Sequence, residues 1–204
     1  MHMVIIGLAG GSGSGKSLVT ELFSELGFFG IDTDLVYRDI TSSPSECLKA
    51  LSKEFGTDIL TPSGALDRRR LAEAVFMSEG AEERRLKLNE ITHKYILDEV
   101  RKIISSLDAG YRGAIVDAPL LFESGFDREC DATVSVIADI ELRIKRILLR
   151  DGVSEGEARR RIASQKSDEE LKSLSDYIIV NNGNGDELRA SVLRIAEEIL
   201  NREG

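Results

Sequence analysis

The sequence contains few of the residues from which metal sites and disulfide frameworks are built. It has two cysteines, Cys47 and Cys130, and two histidines among its 204 residues. The cysteines lie far apart and form no C-x-x-C pair, which argues against a disulfide framework and a thiolate zinc site. We therefore expect two reduced thiols and no histidine-rich metal site.

Long apolar runs and an excess of positive charge are also missing. No run is long enough to span a bilayer, and the N-terminus shows no secretory signal pattern. We therefore expect a cytoplasmic protein with no membrane partner. Acidic residues number 36 and basic residues 27, a net charge of -9, so we expect no nucleic-acid partner. The sequence does not predict an oligomeric state.

Short apolar runs alternate with helix-like patterns along the chain. Helix-like stretches follow the first run at residues 16–26 and the fourth run from Ile140, and another closes the chain. This alternation predicts an α/β fold with a parallel sheet. A mainly helical stretch, 34–107, reads as an insertion, and 151–173 reads as charged and helical without a strong apolar face. The predicted strands are 3–9, 28–31, 113–118, 132–138 and 177–180.

The first strand is followed by a phosphate-loop motif. Gly10-x-x-x-x-Gly15-Lys16-Ser17 matches the pattern G-x-x-x-x-G-K-[ST], between a strand and a helix as the motif requires. Glycines let the backbone aim its N–H groups at an anion, and the next helix presents its positive end there. Lys16 is expected to reach the β- and γ-phosphates and the Ser17 hydroxyl to hold Mg²⁺. The motif predicts a nucleoside triphosphate with Mg²⁺.

Other nucleotide-binding signatures are absent from the sequence. The chain has neither the D-x-x-G nor the N-K-x-D motif of GTPases, and no G-x-G-x-x-G occurs in residues 7–15. A small kinase with a P-loop NTPase-type parallel sheet, an acceptor site and a mobile lid fits best.

Carboxylates follow two of the predicted strands. Asp32 and Asp34 follow the second strand, at the sheet edge that faces the phosphate loop. One of them could accept the proton of an acceptor hydroxyl, or either could cap the next helix. Asp117 ends the third strand, where an aspartate helps to hold Mg²⁺.

Arginines recur at helical spacing after the fourth strand. Arg143, Arg146 and Arg150 are three and four residues apart and share one helix face. Such runs are usually solvated, but in a kinase an arginine from a closing segment can stabilise the transferred phosphoryl group. The spacing does not select one of them.

The motifs together are more specific than the phosphate loop alone. In this order, and over nearly the whole chain, they resemble the dephospho-coenzyme A kinase family. The matching segments are GLAGGSGSGKS (7–17), GIDTDLVYRDI (30–40), GALDRRRLAEAVF (64–76), LNEITHKYI (88–96), DAPLLFESG (117–125), DATVSVIADIELRIKRILLRDG (131–152) and EARRRIASQKSDEELKSLSDYIIVNNG (157–183).

The resemblance implies an activity and a domain organisation. The activity is ATP-dependent phosphorylation of the ribose 3′-hydroxyl of dephospho-CoA, with a small-molecule substrate and ATP and Mg²⁺ as cofactors. The implied parts are a nucleotide-binding core (1–34, 111–150 and 174–204), a helical CoA-substrate-binding insertion (35–110) and a lid (151–173).

The resemblance also implies roles for individual residues. Asp34 looks like the catalytic base, Arg146 like an active-site arginine beside the lid, and Gly13 to Ser17 like the phosphate cradle. Lys16 is the third residue expected to act in catalysis, and the motif and the strand end described above predict Ser17 and Asp117 as the metal ligands. Asn181 would also lie near the nucleotide. The residues expected to bind ATP are Gly11, Ser12, Gly13, Ser14, Gly15, Lys16, Ser17, Leu18 and Asn182.

The sequence departs from the family pattern at two positions near the loop. Ala9 stands where the family often has threonine, and Leu18 where a second hydroxyl residue is usual. Two other functions stay open. One is another P-loop small-molecule kinase, of the nucleoside monophosphate or shikimate type, against which RRRLAEAVF and PLLFE argue. The other is a non-catalytic ATP-binding module.

Overall fold

The structure is a computed structural model that describes residues 3–77 and 80–202. Its sheet has five parallel strands in the order β2-β3-β1-β4-β5. The prediction of a parallel α/β sheet is confirmed. The strands are β1 (Val4–Ala9), β2 (Phe28–Asp32), β3 (Gly113–Asp117), β4 (Ala132–Ile137) and β5 (Tyr177–Val180).

Helices connect the strands and fill the stretch between β2 and β3. Two short 3-10 helices, Thr57–Ile59 and Phe126–Glu129, lie among them. The α-helices are α1 (Lys16–Glu25), α2 (Thr33–Ser42), α3 (Glu46–Phe55), α4 (Arg68–Phe76), α5 (Ala81–Ser106), α6 (Ile140–Asp151), α7 (Glu155–Ala163), α8 (Asp168–Leu174) and α9 (Gly185–Arg202).

The chain forms two compact units. One contains the described residues up to Asp32 and from Leu107 onward, and the other is Thr33–Ser106. The first unit holds the whole sheet, and the second holds the stretch that the sequence identifies as a helical insertion. The finer division into core, substrate-binding insertion and lid stays a prediction.

The core of the first unit lies between the sheet and two helices. Ile6 of β1 and Val134 of β4 are fully buried, and they pack with Phe23 of α1 and Ile195 of α9. The apolar residues of α9 recur at steps of three and four, so one face of the helix is buried. This packing fixes the start of α1, which directly follows the phosphate-loop motif.

The second unit has its own smaller core. Leu48 and Leu51 of α3 pack against Leu71 and Val75 of α4. An antiparallel bridge between Leu60 and Leu66 closes a turn around the Pro-Ser-Gly sequence at residues 62–64. The long helix α5 packs against α2, α3 and α4 and so joins the helices of this unit.

Residues 151–173 bury more apolar surface than the sequence pattern indicates. Ala158 of α7 is fully buried against Ile144 and Ile147 of α6, and Leu171 of α8 is also buried. The expectation that this stretch lacks a strong apolar face is therefore wrong in part. The face is missed because it consists of few residues, one of them a small alanine, among many charges.

Hydropathy along the helices bears on membrane insertion. Across residues 3–77 and 80–202, no helix has both the length and the apolar character that a bilayer crossing needs.

Candidate active site

The loop after β1 has the geometry of an anion cradle. Gly10, Gly13 and Gly15 have φ values of 147°, 77° and 98°, a region that L-residues rarely adopt. A Cβ atom at Gly13 would lie 2.6 Å from the carbonyl oxygen of Arg143, and one at Gly15 would overlap Asn181. The backbone thus curls tightly between neighbouring elements and leaves no room for side chains at these two positions.

Polar groups in the loop stay available for a ligand. The first N–H groups of α1 have no partner within the helix, and the N-cap residue, Gly15, provides no side-chain cap. The Ser14 hydroxyl is fully buried and has no hydrogen-bond partner within the described part of the chain. A buried polar atom without a partner is costly, so this cradle fits a bound anion.

The side chain of Lys16 lies within the loop. Its Nζ donates to the carbonyl oxygen of Gly10 at 3.0 Å and lies 3.6 Å from Oδ1 of Asp117. Both side chains are about 15% exposed. The loop thus holds the ammonium group beside the carboxylate that ends β3.

Two acidic residues meet at the carboxyl edge of the sheet. Asp32 at the end of β2 is in register with Asp117, which is also in register with Leu8 of β1. Asp34 is the second residue of α2, which begins at Thr33 directly after β2. An N-cap role at Asp34 is therefore wrong, although a carboxylate in the first turn still stabilises the helix dipole.

Arg146 of α6 binds the backbone of the loop. Its guanidinium donates to the carbonyl oxygens of Gly13 and Ser14 at 3.0 and 3.3 Å. It also donates to the backbone and side-chain oxygens of Asn181, at 3.1 and 3.3 Å. The arginine expected at the site thus does reach the phosphate loop, where it is a donor to backbone carbonyls.

Arg143, one turn earlier on the same helix face, is 5% exposed. Its Nε donates to the carbonyl oxygen of Ser12 at 3.0 Å, and its guanidinium lies 3.4 Å from Asp168. Burial lowers the pKa of Arg143, and Asp168 partly opposes that shift. Arg150 is exposed and pairs with its neighbour Asp151, as expected for a solvated arginine.

The two asparagines after β5 differ in their contacts. Asn181 is buried, and its Nδ2 donates to the carbonyl oxygen of Ser14 at 2.8 Å. Asn182 is exposed, and its Oδ1 accepts from the backbone N–H of Asp139 at 2.9 Å. Of the two, Asn181 is the one that contacts the phosphate loop in this structure.

One loop contact is missed by sequence reasoning altogether. Gln165, between α7 and α8, bonds Ser12 through both its amide oxygen and its amide nitrogen. The two residues are 153 positions apart, and no local pattern in the sequence pairs them. The other predicted ATP-binding residues, Gly11 and Ser12 to Leu18, lie in the loop and the first turn of α1.

Comparison with known proteins gives this fold a family. The model of the family described as dephospho-CoA kinase matches residues 4–187. The chain belongs to the dephospho-CoA kinase family. The resemblance seen in the sequence motifs is thereby confirmed.

Individual relatives agree with the family match. A dephospho-CoA kinase of Corynebacterium glutamicum is 43% identical over 98% of this chain and 99% of its own. One from Syntrophotalea carbinolica is 38% identical over 97% of this chain and 93% of its own.

Among solved structures, the dephospho-CoA kinase from Campylobacter jejuni is similar with a TM-score of 0.68 and 25% identity, covering 98% of both chains. A shikimate kinase from Bacteroides thetaiotaomicron has a TM-score of 0.53 at 15% identity over 97% of this chain and 99% of its own. That second likeness shows a shared fold.

Proposed function

We propose that this chain transfers the γ-phosphoryl group of ATP to the ribose 3′-hydroxyl of dephospho-CoA, giving CoA and ADP. The observation that carries the proposal is the family match over residues 4–187, in a chain whose phosphate loop is intact. As expected for a kinase family, ATP is a substrate. The buried Ser14 hydroxyl and the uncapped start of α1 support an anionic ligand in this loop.

The loop residues supply the phosphate contacts. In this proposal the N–H groups at the start of α1 and the ammonium of Lys16 bind the β- and γ-phosphates. Their contribution grows as negative charge develops on the transferred group. Lys16 would exchange its bond with the Gly10 carbonyl for the phosphate oxygens.

Asp34 is proposed as the general base. The attacking 3′-oxygen forms a bond to the γ-phosphorus while the bond from that phosphorus to the β–γ bridging oxygen breaks. The proton of the hydroxyl passes to the Asp34 carboxylate, and ADP leaves with the bridging oxygen. Its position in the first turn of α2, two residues past β2, supports this choice.

Arg146 and Asn181 are proposed to hold the loop in its binding conformation. Arg146 contacts the carbonyl side of Gly13 and Ser14, so its charge lies next to the peptide units that would face the phosphates. Asn182 is proposed to lie at the rim of the nucleotide site.

Mg²⁺ is proposed as the cofactor. Ser17 and Asp117 offer the hydroxyl and carboxylate oxygens that this cation prefers, and Asp117 lies beside Lys16. The described residues contain no cluster of three or more His, Cys, Asp or Glu side chains able to hold a metal ion. The cation would therefore take its remaining ligands from nucleotide and water, and would neutralise charge on the phosphates.

The helical stretch 35–110 is proposed to bind dephospho-CoA, and 151–173 to act as a lid. An assay of ADP release against a panel of acceptors tests the function. Release that depends on added dephospho-CoA supports the proposal. Equal turnover with AMP or shikimate would favour a different small-molecule kinase, and tight ATP binding without turnover on any acceptor a non-catalytic module.

A further inference from the structure

Ser12, in the middle of the phosphate loop (residues 10–17), is held by side chains from outside the loop. Its backbone N–H donates to Oε1 of Gln165 at 2.9 Å, and its hydroxyl accepts from Nε2 of the same side chain at 3.1 Å. Its carbonyl oxygen accepts from Nε of Arg143 at 3.0 Å. Every polar group of Ser12 thus has a partner in another part of the chain.

Gln165 lies in the connection between α7 and α8. Its own N–H donates to the carbonyl oxygen of Ile162 at 3.1 Å, and its Oε1 lies 3.4 Å from the guanidinium of Arg143. The next residue, Lys166, pairs with Glu123 at 3.1 Å. The connection is therefore fastened at two successive residues to two other elements of the same compact unit.

The chemistry of a primary amide suits this position. A glutamine side chain is both an acceptor and a donor, so it matches the N–H and the hydroxyl of one serine. It is also neutral and adds no negative charge beside a loop that binds phosphates. Because the Ser12 N–H points at Gln165, the phosphates are left to the N–H groups nearer α1.

We propose that Gln165 is a positioning residue that sets the conformation of the phosphate loop at Ser12 and links the loop to the α7–α8 connection. The inference rests on the proposed function only in taking ATP as the ligand of the loop. Gln165 acts on ATP binding through its hydrogen bonds to Ser12. Loss of these hydrogen bonds makes the loop more mobile at Ser12 and weakens ATP binding.

The test is ATP binding by calorimetry, without any acceptor, to wild type and to Gln165→Met. Methionine has a similar length but makes neither hydrogen bond. We expect the Kd for ATP to rise roughly tenfold, as expected for the loss of two neutral hydrogen bonds. In turnover assays we expect the KM for ATP to rise in parallel and the KM for dephospho-CoA to stay within about twofold.

The matched control is Glu197→Met, which replaces a long polar side chain on the exposed face of α9. We expect its Kd for ATP to equal that of wild type. Ser12→Ala removes only the hydroxyl, so Gln165→Met should weaken binding less in that background than in wild type. If Gln165→Met does not fold, Ser12→Ala alone carries the test, and its Kd for ATP should rise about threefold.

An unchanged Kd for ATP in a folded Gln165→Met protein would overturn the proposal. An equal loss of ATP affinity on adding Gln165→Met to wild type and to Ser12→Ala would do the same. So would an unchanged Kd in Ser12→Ala when it alone carries the test. Failure of the proposed function looks different: wild type would bind ATP and respond to Gln165→Met, yet give no turnover with dephospho-CoA.

Discussion

The Nε atom of Arg143 donates to the carbonyl oxygen of Ser12 at 3.0 Å and so joins residues 131 positions apart. The same buried guanidinium faces Asp168, which begins α8. One side chain therefore links the phosphate loop, α6 and the helices that follow it. A group with these partners contributes to stability and to the loop conformation together.

We expect Arg143→Met to lower the free energy of unfolding by about 1–3 kcal/mol, because it leaves the Ser12 carbonyl without its charged donor. ATP binding should weaken as well. Chemical denaturation and calorimetry measure the two effects. Arg150→Met on the same helix is the control, since that exposed side chain pairs with its neighbour Asp151 in a surface contact. The stability of this variant should stay within about 0.5 kcal/mol of wild type. Equal stability of the two variants would contradict the role of Arg143.

Gly15 is one of the loop positions that have no room for a side chain. Its φ is 98°, and a Cβ there would overlap the amide of Asn181. We expect Gly15→Ala to abolish measurable ATP binding, because either the loop or Asn181 must move. Gly27→Ala is the control: its φ is 91°, but a Cβ there makes only ordinary contacts at 3.4 Å with the flexible Arg112 side chain.

Gly27→Ala should cost about 1–2 kcal/mol of stability from the left-handed backbone alone. Its affinity for ATP should match that of wild type. Retained ATP binding in Gly15→Ala would show that the observed loop geometry is not required.

Sequence patterns predict the strands and the phosphate loop well, but they predict the contacts that support the loop poorly. The strands and the loop are local features, so apolar runs, glycines and Gly10-to-Ser17 spacing identify them. The partners of Ser12 come from residues more than 130 positions away, and pairing of that kind leaves no periodic signal. Helical spacing places Arg143 and Arg146 on one face, but only the packed structure shows that both donate to loop carbonyls.

If Asp34 is the general base, its replacement should lower kcat. Asp34→Asn keeps the side-chain shape and removes the proton acceptor, so kcat should fall about 10²–10⁴-fold with ATP affinity little changed. If the carboxylate serves only the helix dipole, the cost is about 0.3–1 kcal/mol of stability with kcat retained. Asp32→Asn is the matched variant, because Asp32 is two residues away at the end of β2. A larger loss of kcat in Asp32→Asn would reassign the base.

The two thiols predict a pH dependence of stability. Burial raises the pKa of Cys130 to about 12 and that of Cys47 to about 11, from 9.0. Above pH 9 the unfolded thiols lose protons that the folded ones keep, so the free energy of unfolding falls as pH rises. We expect a shallower fall between pH 9 and 11 in Cys130→Ala than in wild type, measured by denaturation at each pH. Identical slopes would contradict the burial of that thiol.

The hydroxyl that receives the phosphoryl group distinguishes the proposed reaction from that of any other kinase. Purified protein is incubated with ATP, Mg²⁺ and dephospho-CoA, and the product is identified by mass and by ³¹P NMR, with Lys16→Ala as the control. We predict one ADP for each molecule of CoA, a phosphomonoester on the ribose 3′-oxygen, and almost no product from a folded Lys16→Ala protein. ADP formed without phosphorylated dephospho-CoA, or a phosphate on another oxygen, would contradict the proposed function.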